Sequence, residues 1–167
     1  MARPALVPRG ERQPRFDDLA QRPREPYPGV EHTEHGGAWL KTLPPSEQRS
    51  IAHALLALPL VIEVQTSTGL VGLVHADCPF DDWLRIQALD FAALVDTDPI
   101  VESCLWSIER YERGYTGKVR NIRAVIHGHL TLKAHAVLGN VHFIDTAGAH
   151  PGWSFTFLNL QTLRPMT

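Results

Sequence analysis

The stretch Leu60-Val-Ile-Glu-Val-Gln-Thr-Ser-Thr-Gly-Leu-Val-Gly-Leu-Val-His75 decides the fold. Apolar residues alternate from Leu60 to Gln65, turn residues follow at Ser67-Thr68-Gly69, and an apolar run resumes through Val74. Such patterning on both sides of a short Gly-containing turn marks a β-hairpin. Its second strand delivers His75 at its end. Upstream, Leu43-Pro-Pro-Ser-Glu-Gln is a helix start, with proline before Ser46 and a carboxylate in the first turn. Ile51, Leu55, Leu56 and Leu58 carry its apolar stripe to Pro59. Downstream, Asp81-Asp82 opens a helix expected to run through Leu94, and Asp98-Pro99 opens another through Glu112. Both begin with acid at the positive end of the helix dipole. Short strands are expected at Ile122–Ile126, Val141–Ile144 and Phe155–Leu160. Helix, hairpin, two helices and then strands imply an α/β protein with helices packed on a mixed sheet.

The chain changes character near residue 36. Before that point prolines and arginines recur without an apolar period, so residues 1–35 are expected to be a poorly ordered segment. Residues 36–167 carry the pattern of a folded domain. Across 167 residues the chain is 44% hydrophobic and 20% charged, with a net charge of −2 that draws it to neither nucleic acid nor anionic lipid. Cys78 and Cys104 are too few for a disulfide framework and suit a reducing compartment. No run of 18 apolar residues and no signal-peptide core is present, so a cytoplasmic protein without a membrane span is expected.

Nine histidines are present, and His127, His129, His135, His142 and His150 fall within 24 residues. Two of the nine share a setting. His75 follows the strand Leu70–Val74, and His129 follows Arg123-Ala-Val-Ile-His-Gly. Side chains at strand ends meet along one rim of a sheet, where loops close over sites. Neutral imidazole suits manganese, iron or zinc, with carboxylates or amides completing the shell. Asp77 and Asp145 stand near enough in sequence to accept a ligand histidine's other N–H. From the residues alone, strand-end histidines serve equally as hydrogen-bonded structural groups, and both readings stand. His127 lies two residues before His129, so strand alternation puts both on one face. His135, His142 and His150 read as surface or strand residues, and Trp83, Trp106 and Trp153 as packing.

Gly72-Leu-Val-His-Ala-Asp-Cys-Pro79 resembles the "VHA(D/G)-x-P" block of the calcineurin-like metallophosphoesterases, specifically the bacterial serine/threonine protein phosphatases. Val125-Ile-His-Gly-His-Leu130 is similar to their "VVxGHTP" block. Leu138-Gly-Asn-Val-His-Phe-Ile-Asp-Thr-Ala-Gly148, then Phe155-Thr-Phe-Leu-Asn-Leu160, resembles their closing strands. His35-Gly-Gly-Ala-Trp39 resembles "NGGxW". These blocks keep the family's order across residues 35–163. The resemblance implies that residues 36–167 are the C-terminal half of a metallophosphoesterase domain, part of an α/β/β/α sandwich of mixed sheets flanked by helices. It implies a hydrolase in which a two-metal centre, manganese first and iron or zinc otherwise, activates water against a phosphate monoester. His75 and His129 would be metal ligands. The substrate would be a phosphorylated protein or a dinucleoside polyphosphate.

Several family features are missing. "GDxHG", "GDxxDRG" and "GNHE" do not occur, and Arg9-Gly-Glu-Arg-Gln13 reads either as a degraded remnant of "RGNHE" without its Asn ligand and its His, or equally as a chance match in an Arg-rich segment. Ile108 stands where the family carries a phosphate-binding arginine, with Arg110 and Arg113 on other faces of a helix. No catalytic residue and no phosphate-binding residue is therefore assigned. A truncated and impaired enzyme is expected, with a non-catalytic remnant or a metal- or partner-binding half-domain as the alternative. Strands separated from their neighbours would leave a sheet edge open to self-association. A cupin-like site built on His127-x-His129 lacks a downstream Glu and ranks last.

Overall fold

The computed structural model describes residues 37–95, 98–147, 150 and 152–166. The expectations for residues 1–35, including Arg9–Gln13, and for His35-Gly36 lie outside the described residues.

The hairpin forms as expected. β1 (Val61–Thr66) pairs antiparallel with β2 (Gly69–Val74), and Val61 sits opposite Val74. Gly69 takes a φ of 127°, open to glycine, and Thr66 Oγ1 donates to its carbonyl to close the turn. β3 (Ala124–His127) runs parallel to β2, β5 (Val141–Phe143) runs parallel to β3, and β4 (Ala136–Leu138) pairs antiparallel with β5. The five-stranded order is β1-β2-β3-β5-β4. The C-terminal ends of β2, β3 and β5 therefore share one rim. A separate hairpin joins β6 (Leu158–Asn159) and β7 (Arg164–Pro165).

Alternation along β3 divides the core. Val125 points to a face packed with Trp83, Ile86, Cys78, Cys104 and Phe143, while Ala124 and Ile126 point to the other, packed with Val71 and covered by Leu158, Leu160 and Leu163. Gly72 lies over the Trp83 ring: a Cβ there would stand 2.2 Å from the indole. This is a mixed α/β fold with helices flanking a mixed sheet, consistent with an α/β sandwich.

Both long helices expected from the sequence are broken. α1 (Pro45–Leu56) starts where its prolines place it. α2 spans only Trp83–Gln87, capped by Asp82, because the Asp90 carboxylate captures the Ala92 N–H and opens a separate 3₁₀ turn at Phe91–Ala93. α3 (Pro99–Trp106) begins at the Asp98 cap and stops at Ser107, whose Oγ accepts the Glu109 N–H and opens α4 (Glu109–Glu112). The strand expected at Phe155–Leu160 shrinks to two residues, since the Asn159 side chain accepts from Gln161 and Thr162 and turns the chain.

Candidate functional site

His75 is the first residue beyond β2, and His129 lies two beyond β3. The parallel register of β2 and β3 puts these strand ends side by side. The two rings stand 5.0 Å apart between centroids, tilted by 58°. The backbone joins them as well, because Gly128 N donates to the His75 carbonyl at 2.9 Å. The His75 loop is tied in turn to the end of α3: Ala76 N and Asp77 N donate to the Cys104 and Ser103 carbonyls at 2.8 and 3.2 Å. Those helix-end acceptors would otherwise need other partners.

Strand alternation does not continue to His129. Its φ of 61° is left-handed, a conformation that costs about 1–2 kcal/mol for a residue with a Cβ and collects at functional sites. The twist swings the ring to the rim, edge-on to Trp106 at 5.8 Å. Burial and the neighbouring His75 hold its imidazole below the ordinary range, opposed by a hydrogen bond to the Trp106 backbone and by the Asp145 charge. It is thus kept in the neutral form that binds metal. Asp145 follows β5 on the same rim, and Thr131 Oγ1 donates to its Oδ2 at 3.4 Å. Among the described residues no group of three or more His, Cys, Asp or Glu is arranged to hold a metal ion. The two imidazoles fit part of a metal's shell.

Asp77 is engaged with other partners. It is buried, accepts the Arg110 N–H at 3.2 Å, and has Oδ1 3.6 Å from Arg110 Nε and 3.8 Å from His127 Nδ1. Its expected service to a ligand histidine is therefore corrected: the helix break at Ser107 brings Arg110 inward as a closer partner. Arg110 is fully buried and also donates to Gly117 O at 2.8 Å and Asp81 Oδ1 at 3.2 Å. It is a buried structural hub with its guanidinium committed to Gly117 and Asp81. His127 is packed on Phe143, with neither ring nitrogen hydrogen-bonded among the described residues. Spacing alone could not separate it from His129. Another pair escaped the sequence: His135 Nε2 lies 3.0 Å from His142 Nδ1, the rings stacked at 15°. No sequence signal announced it, because the pair depends on β4, a strand not expected from the sequence, which sets Val137 opposite His142 of β5.

Burial and the Arg110 charge push His127 down to about 3. Burial, with His135 and Arg123 beside it, pushes His142 down to about 4. Burial pushes the Asp77 carboxyl up to about 7 against the pull of Arg110. Below the ordinary histidine value of 6.5 the unfolded chain charges both histidines while the fold keeps them neutral. Over the same range the fold keeps a proton on Asp77 that the unfolded chain releases. Two against one leaves net proton uptake on unfolding, so stability falls with pH from 6.5 to about 4. Melting temperatures measured across that window should decline steadily, and His142→Phe should flatten the decline. A flat profile for the unaltered chain would contradict this balance.

Serine/threonine-protein phosphatase 2 of Salmonella typhimurium is 30% identical to the chain over 133 residues, covering 76% of the chain and 56% of the relative. The chain thus spans about half the length of this curated relative. No protein-family model matches the chain. The likeness is phosphatase-type, and the His75–His129 geometry stands beside it. No helix among the described residues is long and apolar enough to cross a membrane.

Proposed function

We propose that this chain is a phosphatase-type half-site: His75 and His129 hold a divalent metal, manganese first and iron or zinc otherwise, in a calcineurin-like metallophosphoesterase domain. The observation that carries the reading is the approach of the two imidazoles to 5.0 Å at the ends of adjacent parallel strands. The phosphatase likeness supports it. A metal held by these two residues would supply Lewis acidity toward a phosphate ester. The chain's own residues do the rest. The Gly128–His75 backbone bond sets the spacing of the two rings, and burial keeps His129 neutral. Trp106 covers one edge of that ring.

Two imidazoles supply too few donors for a two-metal centre, which requires bridging carboxylate. By themselves these residues are proposed to be catalytically impaired. The substrate class in a complete site would be a phosphorylated protein or a dinucleoside polyphosphate, in the cytoplasm. Calorimetric titration with manganese chloride is expected to show one weak site per chain, lost in His75→Ala and in His129→Ala alike. Hydrolysis of p-nitrophenyl phosphate should not exceed that of buffer plus manganese. Manganese uptake unchanged in the double variant would sink the metal assignment, and turnover abolished by either substitution would overturn the impairment.

A further inference from the structure

A cleft of about 850 Å³ opens between the residues that lead into β4 and the segment 152–156. That volume lies within the roughly 300–1,000 Å³ usual for small-molecule sites. Its walls are fastened. Thr146, buried beyond β5, donates from Oγ1 to the Ser154 carbonyl at 2.8 Å and meets the Thr156 hydroxyl at 2.7 Å, which ties the 152–156 wall to the sheet. On the other wall His135 is braced by His142 of β5, with Nε2 3.0 Å from Nδ1. His150 stacks on Trp153 at 4.3 Å between centroids and holds the indole plane. Trp153 and Phe155 line the cleft and remain 37% and 74% exposed, so both keep ring surface open to a ligand. Aromatic walls of this kind hold flat rings by stacking. The charge in the lining is equally specific. Lys133 is its cation, no carboxylate stands beside it there, and among the described residues it has no ion-pair partner. Burial holds the His135 imidazole below its ordinary range, so at neutral pH it adds no second charge.

We infer that this cleft is a binding site for a small planar aromatic acid, its ring stacked against Trp153 and Phe155 and its one acidic group, carboxylate or phosphate, paired with Lys133. The Thr146 proton is already committed to Ser154, so orientation falls to Lys133 on one wall and the two rings on the other. A neutral ring would leave Lys133 without a counter-charge, and a polyphosphate chain would outrun a single ammonium. Neither His75 nor His129 lines the cleft, so this site stands apart from the phosphatase-type reading and does not rest on it.

The test titrates the full chain with 2-naphthoate, adenosine 5′-monophosphate and the uncharged 2-naphthamide, by calorimetry and by NMR of the tryptophan indole N–H groups. EDTA is present throughout, so that no metal bridges ligand and histidine. One molecule of acid per chain is expected, with 2-naphthamide about three- to fivefold weaker than 2-naphthoate, the effect of one exposed ion pair. Lys133→Gln should erase that margin. Trp153→Ala should weaken acid and amide alike by about tenfold, the usual loss when a stacking ring is removed. Phe155→Ala, at a more exposed position, should weaken both in the same sense and keeps the test decisive if Trp153→Ala misfolds. Leu56→Ala, at the exposed end of α1, should change nothing and so separates the cleft from general adsorption to apolar surface. Either acid binding with this dependence supports the inference, and the tighter one identifies the anion as carboxylate or phosphate. Binding of neither acid, an amide as tight as 2-naphthoate, affinity indifferent to both ring variants, or several molecules bound per chain would each overturn it.

Discussion

Arg110→Leu is expected to destabilise the fold by about 3–5 kcal/mol, the usual loss when one member of a buried ion pair is removed. Arg110 is fully buried, and its backbone and guanidinium reach Asp77, Asp81 and Gly117. The Tyr115 ring lies 4.9 Å from its guanidinium carbon, and the Tyr115 hydroxyl closes the circuit by donating to Asp81 at 2.7 Å. Leucine fills part of the space and leaves the Asp77 carboxylate buried without a counter-charge. Asp77 can escape by keeping its proton, since burial already raises it to about 7. Without Arg110 it rises further, and a group raised in the fold loses its stabilising contribution as pH climbs through the folded value. The deficit measured by urea unfolding should therefore be larger at pH 8 than at pH 6. A loss below about 1 kcal/mol, or one independent of pH, would show that the hub is dispensable.

Trp83→Ala should cost a similar amount, about 3–5 kcal/mol. The indole is wholly buried beneath β2, between Gly72 and the Cys78–Cys104 side of the core, and its N–H is donated to Glu63. Truncation opens a cavity that the sheet cannot close and strips Glu63 of a donor. Gly72→Ala in the unaltered chain should also destabilise, because its Cβ would overlap the ring. Once Trp83 is alanine the overlap is gone, so the double variant should be more stable than the sum of the two losses. Strict additivity in chemical denaturation would refute the contact.

Much of this fold could be read from local pattern. The hairpin at 61–74, the start of α1 and the strand before His129 depend on alternation, prolines and turn residues close together in sequence. So do the Asp82 and Asp98 caps. The pairing of His75 with His129 was suggested by both histidines ending strands. What escaped was long-range or decided by competition. Asp90 and Ser107 break helices because their side chains offer the backbone a second partner, a contest in which periodicity takes no part. Asp77 turns to an arginine 33 residues away, a separation that no local pattern encodes. The left-handed turn at His129 explains why His127, two residues earlier, ends in the core. Phe155 and Phe157 read as a strand and remain mostly exposed, since the turn at Asn159 ends the pairing after two residues.

The backbone links around His75 carry a consequence for selectivity. His75 is moored to α3 through its two following amides, and its carbonyl holds Gly128 and with it His129. The two imidazoles therefore behave as one claw with a set bite rather than two independent arms. In the metal site proposed above, a claw of that kind would sort ions by radius: an ion that matches the gap would seat at little cost, and a larger one would strain the bonds that moor the loop.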